Sequence, residues 1–262
     1  MELWPAESIW EQVAPLLPGF TVEVLPEIDS SNTELMRRAR TGQTEPTLLV
    51  AERQSAGRGR LGRPWQSAPG DSLTFSLGLP FMPRDWSGLS LAVGLSLAES
   101  LHPDIGLKWP NDLWWQDRKL GGILIEAATA GDRSQVVIGI GINIRTRPAE
   151  GLSTAPAALT ELWPETTAGA ALLRLARPLV QTLLDFERAG FAPLQRSFEA
   201  RDVLRGRTVH TSDGLQGQAL GVDATGALRL LNARGEQLID SSEVSVRPLA
   251  TPFKNHPDPE TP

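Results

Sequence analysis

The sequence predicts an α+β protein, in which a mixed α/β domain is followed by a small all-β unit. In the first part of the chain, apolar runs typical of strands are mixed with stretches of helical periodicity. After Arg207, short strands alternate with Asp- and Asn-containing turns that end in glycine, a pattern that is most simply a compact barrel. We therefore predict domains over 1–204 and 205–250 and a Pro-rich, disordered tail over 251–262.

Composition limits the chemistry that the chain can use. It has 262 residues, a net charge of -6, no cysteine and three histidines far apart in sequence. Disulfides, thiolate metal sites and cysteine nucleophiles are excluded, and no motif supports a histidine metal site. The negative charge argues against a general nucleic-acid coat. Without a long apolar run or a signal-like N-terminus, the chain is predicted to be soluble, cytoplasmic and without membrane contact.

The first elements follow from short local patterns. Residues 1–19 are amphipathic enough for one helix, and residues 21–25 alternate like a strand. The next stretch is Asp29-Ser30-Ser31-Asn32-Thr33-Glu34. Ser31 and Glu34 fit a capping box that opens a helix. The remaining serine and asparagine can instead face a polar ligand beside the positive helix end, and the residues alone leave both interpretations open.

The most unusual segment is the arginine loop, residues 55–65. It reads Ser55-Ala56-Gly57-Arg58-Gly59-Arg60-Leu61-Gly62-Arg63-Pro64-Trp65. Glycines let backbone N–H groups approach a ligand and guanidinium groups pair with carboxylate or phosphate, so the loop is predicted to hold an anion. Its glycines match the dinucleotide-binding fingerprint, but the prolines that follow disfavour the helix that this fingerprint needs. A solvated basic turn is the alternative on local evidence.

The elements around and after the loop are predicted from periodicity. Residues 47–53 and 72–77 form strands that are expected to pair antiparallel across the loop, and residues 89–101 form a helix of small and apolar core residues. From 157 to about 200 the pattern is again helical, and Pro178 is predicted to kink that helix.

Lysine is scarce, and its positions are informative. Of 25 basic residues only Lys108, Lys119 and Lys254 are lysines. The first two flank a predicted hairpin that contains Asn111 and is followed by paired glycines. A compact ammonium group suits a crowded site where a guanidinium is too broad. Turn chemistry alone accounts for Asn111, but the flanking lysines favour a function for this hairpin.

One amide lies in an apolar strand. Residues 135–144 contain two glycines and Asn143 among isoleucines and valines. A buried amide needs hydrogen-bond partners. Asn143 is therefore either a structural hinge or a ligand contact.

Taken together, four motifs in this order resemble the biotin protein ligases. They are Ser30-Ser31-Asn32; Gly57-Arg58-Gly59-Arg60-Leu61-Gly62-Arg63 with Trp65; Lys108-Trp109-Pro110-Asn111-Asp112-Leu113 with Lys119-Leu120-Gly121-Gly122-Ile123-Leu124; and Gly139-Ile140-Gly141-Ile142-Asn143. Each motif alone is weak, but the ordered set is very specific and spans residues 24–248. Family members commonly have threonine in place of Ser31, which keeps the hydroxyl group.

The resemblance implies a fold and a set of site residues. The expected catalytic domain, 1–204, has the class II synthetase-like biotin/lipoate ligase fold with a mixed, largely antiparallel sheet and flanking helices, and the C-terminal unit is an SH3-like β-barrel. The biotin-binding residues implied are Ser30, Ser31, Asn32, Gln54, Arg58, Gly59, Arg60 and Lys119. The ATP-binding residues implied are Arg58, Arg63, Trp65, Lys108, Asn111 and Asn143. Lys119, Arg60 and Lys108 are the implied catalytic residues, and Asn111 is the candidate Mg²⁺ ligand.

The resemblance also implies a reaction. Biotin is activated by ATP and Mg²⁺ to biotinyl-5′-AMP, and biotin is then transferred to a lysine of the carrier domain of a biotin-dependent carboxylase. Two anions meet in the first step, so charge neutralisation and alignment are the main requirements. The chain starts too late to contain the DNA-binding domain of some members, so a short form that does not bind DNA is expected. The oligomeric state, a homodimer included, is left open.

Two alternatives remain at the level of sequence. Lipoate-type ligases share this fold and mechanism but lack the ordered motifs. A non-catalytic, biotin-sensing regulator is the second, and the retention of Lys119 with the complete arginine loop argues against it. Biotin-dependent exchange between ATP and pyrophosphate distinguishes these functions.

Overall fold

A computed structural model describes residues 3–130, 133–147, 154–240 and 245–248. Its main sheet is built from β1 Thr21–Ile28, β2 Thr47–Gln54, β3 Ser72–Pro80, β4 Gly106–Lys108, β5 Asp112–Trp115, β6 Arg118–Ala130 and β7 Arg133–Asn143. The strands follow the order β1-β2-β3-β7-β6-β5-β4. Only β1 and β2 pair parallel, and every other neighbouring pair is antiparallel. The predicted mixed, largely antiparallel sheet is therefore confirmed.

Helices cover both faces of this sheet. They are α1 Ala6–Val13, α2 Ser31–Arg40, α3 Leu89–Leu101, α4 Ala168–Ala189 and α5 Gln195–Glu199. The first, third and fourth helices pack on one face, and α2 packs on the other. The predicted apolar face of α4 is buried, and the helix continues through Pro178. None of the helices in the described chain is both long and apolar enough to cross a membrane.

The central strands β3 and β7 carry different residues on their two faces. Phe75 and Ile140 belong to the main apolar core with α3 and α4. Ser76 and Gly139, which are cross-strand partners, point to the face that α2 covers. Because side chains alternate along a strand, one face of these strands is apolar and the other is small and polar. The small, polar face is the one on which a ligand can lie.

The C-terminal residues form a second sheet. Its strands are β8 Thr208–Thr211, β9 Gln216–Val222, β10 Leu228–Asn232, β11 Gly235–Ile239 and β12 Val246–Pro248, all antiparallel in the order β11-β10-β9-β8-β12. The predicted short strands are confirmed. Among the described strands no pairing closes β11 onto β12, so the barrel and the boundary at 205 stay predictions. The predicted tail, 251–262, lies outside the described residues.

Two polar contacts, one buried and one largely exposed, join the two sheets. The indole Nε1 of Trp109, a fully buried residue in the turn between β4 and β5, donates to Gly226 O at 3.0 Å. Arg207 forms an ion pair with Asp117 at the turn between β5 and β6. The turn that follows Lys108 and the turn that precedes Lys119 in the chain are therefore fixed against the C-terminal sheet.

Trp109→Phe is expected to lower the free energy of unfolding by about 1–3 kcal/mol, because it leaves the buried carbonyl of Gly226 without its donor. Trp163→Phe is the matched control, since that indole is partly exposed and lies against Arg174; its effect should stay within about 0.5 kcal/mol. Denaturant unfolding followed by circular dichroism measures both. Equal destabilisation by the two substitutions would contradict a specific role for the Trp109 hydrogen bond.

Candidate active site

A cavity of about 600 Å³ opens on the α2 side of the main sheet. Its walls are the start of α2, the arginine loop, the β4–β6 hairpins, the segment 154–156 and strand β12. The predicted site residues that line it are Ser30, Ser31, Asn32, Gln54, Arg58, Gly59, Arg60, Arg63, Trp65, Lys108, Asn111 and Lys119. The fold therefore brings together every predicted site residue except Asn143.

The floor of the cavity consists largely of glycines. A Cβ atom on Gly139 would lie 2.2 Å from Asn32 Oδ1, and one on Gly141 would lie 2.4 Å from the ring of Trp65. A Cβ atom on Gly122 would lie 3.2 Å from Lys119 Nζ. The approaches at Gly139 and Gly141 require glycine, and the contact at Gly122 is tight enough that a Cβ atom would press on the Lys119 ammonium group. The three glycines therefore determine how deeply these three side chains lie over the sheet.

The start of α2 differs from the predicted capping box. Ser30, not Ser31, is the N-cap, and its side chain accepts a hydrogen bond from Thr33 N. Ser31 is instead the first helical residue, and its N–H and Oγ lie 2.7 and 3.0 Å from Gln54 Oε1. With the cap supplied by Ser30, the Ser31 hydroxyl is available for the cavity. The alternative of a ligand-facing polar segment is thereby favoured.

Hydrogen bonds set the polarity of the Ser31 hydroxyl. Ser76 Oγ donates to Asn32 Oδ1 at 2.6 Å, which uses the single hydroxyl proton of Ser76. Ser76 Oγ, 2.7 Å from Ser31 Oγ, can then only accept from Ser31. Gln54 Oε1, the other neighbour of this hydroxyl, is also an acceptor. Neither neighbour uses a lone pair of Ser31, so Ser31 is a hydrogen-bond acceptor for a ligand N–H group.

The arginine loop folds back on itself without an α-helix. Gly59 N donates to Arg63 O at 2.7 Å, Trp65 N donates to Gly57 O at 2.8 Å, and a single 3-10 turn spans Arg60–Gly62. The rejection of the dinucleotide-binding interpretation is confirmed. The loop also sends its arginines in different directions: Arg58 donates to Thr33 Oγ1 at 3.1 Å, whereas Arg63 donates to Ser245 Oγ at 3.3 Å beside β12.

The two site lysines share one carboxylate, that of Asp112. Lys119 Nζ lies 2.6 Å from Asp112 Oδ1, and Lys108 Nζ lies 3.6 Å from Asp112 Oδ2. The three side chains are 36%, 9% and 13% exposed for Lys119, Lys108 and Asp112, so the two ammonium groups differ in environment. Lys108 is deep and lies 5.2 Å from the centre of the Trp114 ring, whereas Lys119 opens to the cavity.

Burial and the neighbouring charges together shift the pKa values of Lys108 and Asp112. Burial lowers the pKa of Lys108 below its ordinary value, the nearby charge of Lys119 adds to this lowering, and Asp112 opposes it. Burial raises the pKa of a carboxyl group, yet Lys119 and Lys108 outweigh burial and hold the pKa of Asp112 below its ordinary value. Asp112 is therefore a stable anion whose charge balances only one of two cations. The remaining positive charge is available to an anionic ligand.

Arg60 and Asn111 lie beside the lysines. Burial lowers the pKa of Arg60, but a guanidinium remains charged at any working pH. Arg60 Nη1 lies 3.5 Å from Asn111 Oδ1, and Asn111 Nδ2 donates to Ile123 O at 2.7 Å. The bond to Ile123 fixes the amide so that its oxygen faces the cations. This end of the cavity suits carboxylate and phosphate groups.

Asn143 has a structural position. It is 2% exposed, and its Nδ2 donates to Lys119 O at 3.1 Å and to Ala157 O at 3.0 Å. Lys119 also pairs with this segment through Lys119 N to Ala155 O and Ala157 N to Lys119 O. Asn143 therefore holds the backbone of Lys119 against the segment 154–157. This placement does not support the predicted contact of Asn143 with ATP.

Several cavity residues were not predicted. Ser76 and Thr74, which accepts from Trp65 Nε1 at 3.0 Å, were visible as polar positions alternating with apolar ones in β3. Asp112 belongs to the hairpin for which the flanking lysines favoured a function over turn chemistry, but its ion pairs with both lysines were not predicted. Arg147, whose guanidinium lies 5.5 Å from the centre of the Trp65 ring, and Arg247 of β12 had no sequence signal, because only the tertiary fold brings them to the cavity.

Known proteins resemble this chain in sequence. A model of the Biotin/lipoate A/B protein ligase family matches residues 24–143. The Bifunctional ligase/repressor BirA of Escherichia coli is 38% identical over 237 residues, which cover 84% of this chain and 72% of that protein. The Biotin--[acetyl-CoA-carboxylase] ligase of Mycobacterium tuberculosis is 31% identical over 250 residues, which cover 91% of this chain and 87% of that protein.

The fold also resembles a solved structure. The biotin protein ligase from Aquifex aeolicus in complex with biotin and ATP matches with a TM-score of 0.75 and 30% identity. The match covers 87% of this chain and 99% of that one.

The shared carboxylate makes a testable prediction about Lys108. Because the chain has three lysines, lysine labelled with ¹³C at Cε gives three signals, which substitution of each lysine assigns. The Lys108 signal is expected to titrate below the ordinary pKa of 10.5. Asp112→Asn should lower this pKa further, since it removes the charge that favours the ammonium form. An unchanged or raised Lys108 pKa in Asp112→Asn would contradict the arrangement described here.

Proposed function

The chain belongs to the Biotin/lipoate A/B protein ligase family, and from this membership we propose that it activates biotin with ATP and transfers it to a lysine of a carrier domain. The observation that carries the proposal is one cavity with two chemically different ends. One end offers Ser31 and Gln54 for a neutral, hydrogen-bonding ring. The other end offers Lys108, Lys119 and Arg60 for anions. Biotin has both kinds of group, and its activation brings a second anion, ATP.

In the first step, a biotin carboxylate oxygen attacks the α-phosphorus of ATP. A new P–O bond forms, the bond to the departing pyrophosphate breaks, and biotinyl-5′-AMP results. The two reactants repel each other, so the protein must neutralise and align them and needs no nucleophile of its own. Lys119 opens to the cavity and is our candidate for contact with both the carboxylate and the α-phosphate, with Arg60 beside it. Lys108 is deeper and suits the departing phosphates.

The polar end holds the ureido ring. Ser31 Oγ is an acceptor for one ring N–H group, because neither of its neighbours, Ser76 Oγ and Gln54 Oε1, donates a hydrogen bond to it. A ureido group that is buried without partners loses roughly 1–3 kcal/mol for each unpaired polar atom. Ser30 and Asn32 complete this end of the cavity. We propose that these residues select a cyclic urea over a ring that lacks hydrogen-bonding groups.

The nucleotide lies toward the arginine loop in this proposal. Arg63 and Arg58 are the candidates for phosphate contacts, and Gly59 borders the bound biotin. Trp65 and the guanidinium above its ring, that of Arg147, are candidates for the nucleoside. Asn143 contributes indirectly, by holding the Lys119 backbone.

Mg²⁺ enters with ATP in this proposal. Among the described residues, no group of three or more His, Cys, Asp or Glu side chains is arranged to hold a metal. Asn111 Oδ1 is a neutral oxygen at the cation-rich end of the cavity. This donor set fits an ion held mainly by phosphate oxygens and water, which Mg²⁺ prefers, with Asn111 as the protein ligand. The ion would neutralise phosphate charge.

In the second step, the acceptor lysine attacks the acyl carbon of the adenylate, an amide bond forms and AMP leaves. The acceptor proposed is the biotin carboxyl carrier domain of a biotin-dependent carboxylase. The cytoplasm is the proposed location. The expectation of no specific DNA binding stays a prediction, and the oligomeric state, a homodimer included, stays open.

The purified chain is expected to catalyse biotin-dependent exchange of pyrophosphate into ATP. Lipoate should not replace biotin, because its dithiolane ring has no N–H group that can donate a hydrogen bond to Ser31. Radiolabelled pyrophosphate measures both reactions, and transfer to a carrier domain measures the second step. Exchange that is equally fast with lipoate, or without any acid, would refute the proposed function.

Lys119→Ala and Lys119→Arg are both expected to slow single-turnover adenylate formation by about ten- to a hundredfold, the effect of losing a charged hydrogen bond. Arginine should not substitute, because Gly122 and Asp112 crowd the ammonium group. ATP binding should change far less. Arg118→Lys is the control, since Arg118 pairs with Glu161 away from the lysines. A near-normal rate in Lys119→Arg would show that the site does not require an ammonium group.

A further inference from the structure

Glu126 in β6 forms hydrogen bonds with α2 and with the arginine loop, at the end of the cavity proposed to hold the ureido ring. The proposed reaction steps assign it no role. Its Oε2 accepts a hydrogen bond from Asn32 Nδ2 at 2.9 Å. Arg58 Nη2 lies 3.2 and 3.3 Å from its two oxygens and also donates to Thr33. The Glu126 side chain is 26% exposed. It therefore joins α2 and the arginine loop at one point.

The carboxylate determines how the Asn32 amide is oriented. An ionised carboxylate can only accept hydrogen bonds, so the NH₂ group of Asn32 must face Glu126. The backbone carbonyl of Leu124, 3.3 Å from Asn32 Nδ2, is also only an acceptor and favours the same orientation. The amide oxygen must then face Ser76.

This orientation is passed on to Ser31. Because Asn32 Oδ1 accepts the proton of Ser76, Ser76 is an acceptor for Ser31, and the lone pairs of Ser31 are left for the ligand. With the amide reversed, Asn32 would donate to Ser76. The proton of Ser76 could then occupy a lone pair of Ser31. Whether the Ser31 hydroxyl can accept from the ligand therefore depends on Glu126, the nearer of the two acceptors that orient Asn32.

We infer that Glu126 is a positioning residue for biotin, which acts through Asn32 and Ser76 to make Ser31 an acceptor for a ureido N–H group. This inference rests on the proposed function. Arg58 contributes by holding the carboxylate from the side of the arginine loop. The side chains of Glu126, Asn32, Ser76 and Ser31 form the hydrogen-bond relay, and only its last member needs to contact the ligand.

Glu126→Gln tests the relay with little change in volume. Glutamine can present either an oxygen or an NH₂ group to Asn32, so only the longer, 3.3 Å contact with Leu124 O still favours one orientation of the amide. The Kd for biotin, measured by isothermal titration calorimetry, should rise about 3- to 20-fold, as expected for one lost or weakened hydrogen bond. The rate of adenylate formation at saturating biotin and the Kd for ATP should stay within about threefold. An unchanged biotin Kd, or a rate that falls as much as the Kd rises, overturns the inference.

Glu34→Gln is the matched control. Glu34 is also a partly exposed carboxylate that bonds arginines, in its case Arg37 and Arg38 of α2. Its substitution makes the same change of charge two residues from Asn32, on a different side of the same helix. The biotin Kd of Glu34→Gln should stay within about twofold of the wild type. A rise equal to that of Glu126→Gln would assign the effect to charge alone and overturn the relay.

A second variant tests the path of the effect. Ser76→Ala interrupts the relay and should also weaken biotin binding, and the double variant Glu126→Gln, Ser76→Ala should be weakened by less than the product of the two factors. Multiplicative factors would mean that the residues act separately. Because Arg58 also bonds Glu126, the substitution Glu126→Gln is tested again in an Arg58→Ala variant, where it must still weaken biotin binding. If it no longer does so there, Glu126 acts through the arginine loop and not through Asn32.

The outcomes separate this inference from the proposed function. If the wild-type chain shows no biotin-dependent exchange, the proposed function fails. If the wild type is active and Glu126→Gln binds biotin normally, only the inference fails. Should Glu126→Gln not fold, Ser76→Ala alone decides, because an unchanged biotin Kd in that variant overturns the relay.

Discussion

A buried carboxylate between two ammonium groups is the interaction on which the site depends. The two ammonium groups repel each other, and burial removes part of their hydration. The charge of Asp112 offsets both costs. The strand pairing fixes the geometry: Lys108 and Asp112 are cross-strand partners in β4 and β5, and Lys119 pairs with Trp114 in β5 and β6. The charges therefore lie on paired strands, whose positions are better defined than those of a loop. One uncompensated positive charge remains for anionic substrates.

The glycines on the floor of the cavity, which have no side chain, are a second constraint on the site. Gly139 lies between Ser76 and Leu124 in the sheet, and Gly141 lies between Thr74 and Gly122. Asn32 and Trp65 lie on these glycines at distances that a Cβ atom would forbid. Helix α2 and the arginine loop can thus approach the sheet closely enough to share hydrogen bonds with its strands. The polar relay at one end and the nucleotide side at the other both use this approach.

Much of this arrangement could be predicted from sequence, because periodicity and glycine content act locally. The antiparallel strands and the loop without a helix follow from such signals, whereas the set of residues that share the cavity was implied by the resemblance to the biotin protein ligases. The capping residue was misplaced by one position, since Ser30 and Ser31 are adjacent and both can cap. The polar side chain of Glu126 and the arginine Arg247 gave no signal, because their partners are distant in the chain and only the packed fold unites them.

The choice of lysine at two positions has a packing explanation. Lys108 lies between Asp112 and the ring of Trp114 with almost no exposed surface. A guanidinium there would need room in a plane and more hydrogen-bond acceptors than this wall supplies. At Lys119 the lack of a side chain on Gly122 leaves space for a narrow ammonium group. Arg63, by contrast, lies at an exposed position, whereas the charge of Lys108 must fit among packed atoms. The chain otherwise uses arginine almost throughout, and at Lys108, the more buried of the two site lysines, the departure from arginine has a steric reason.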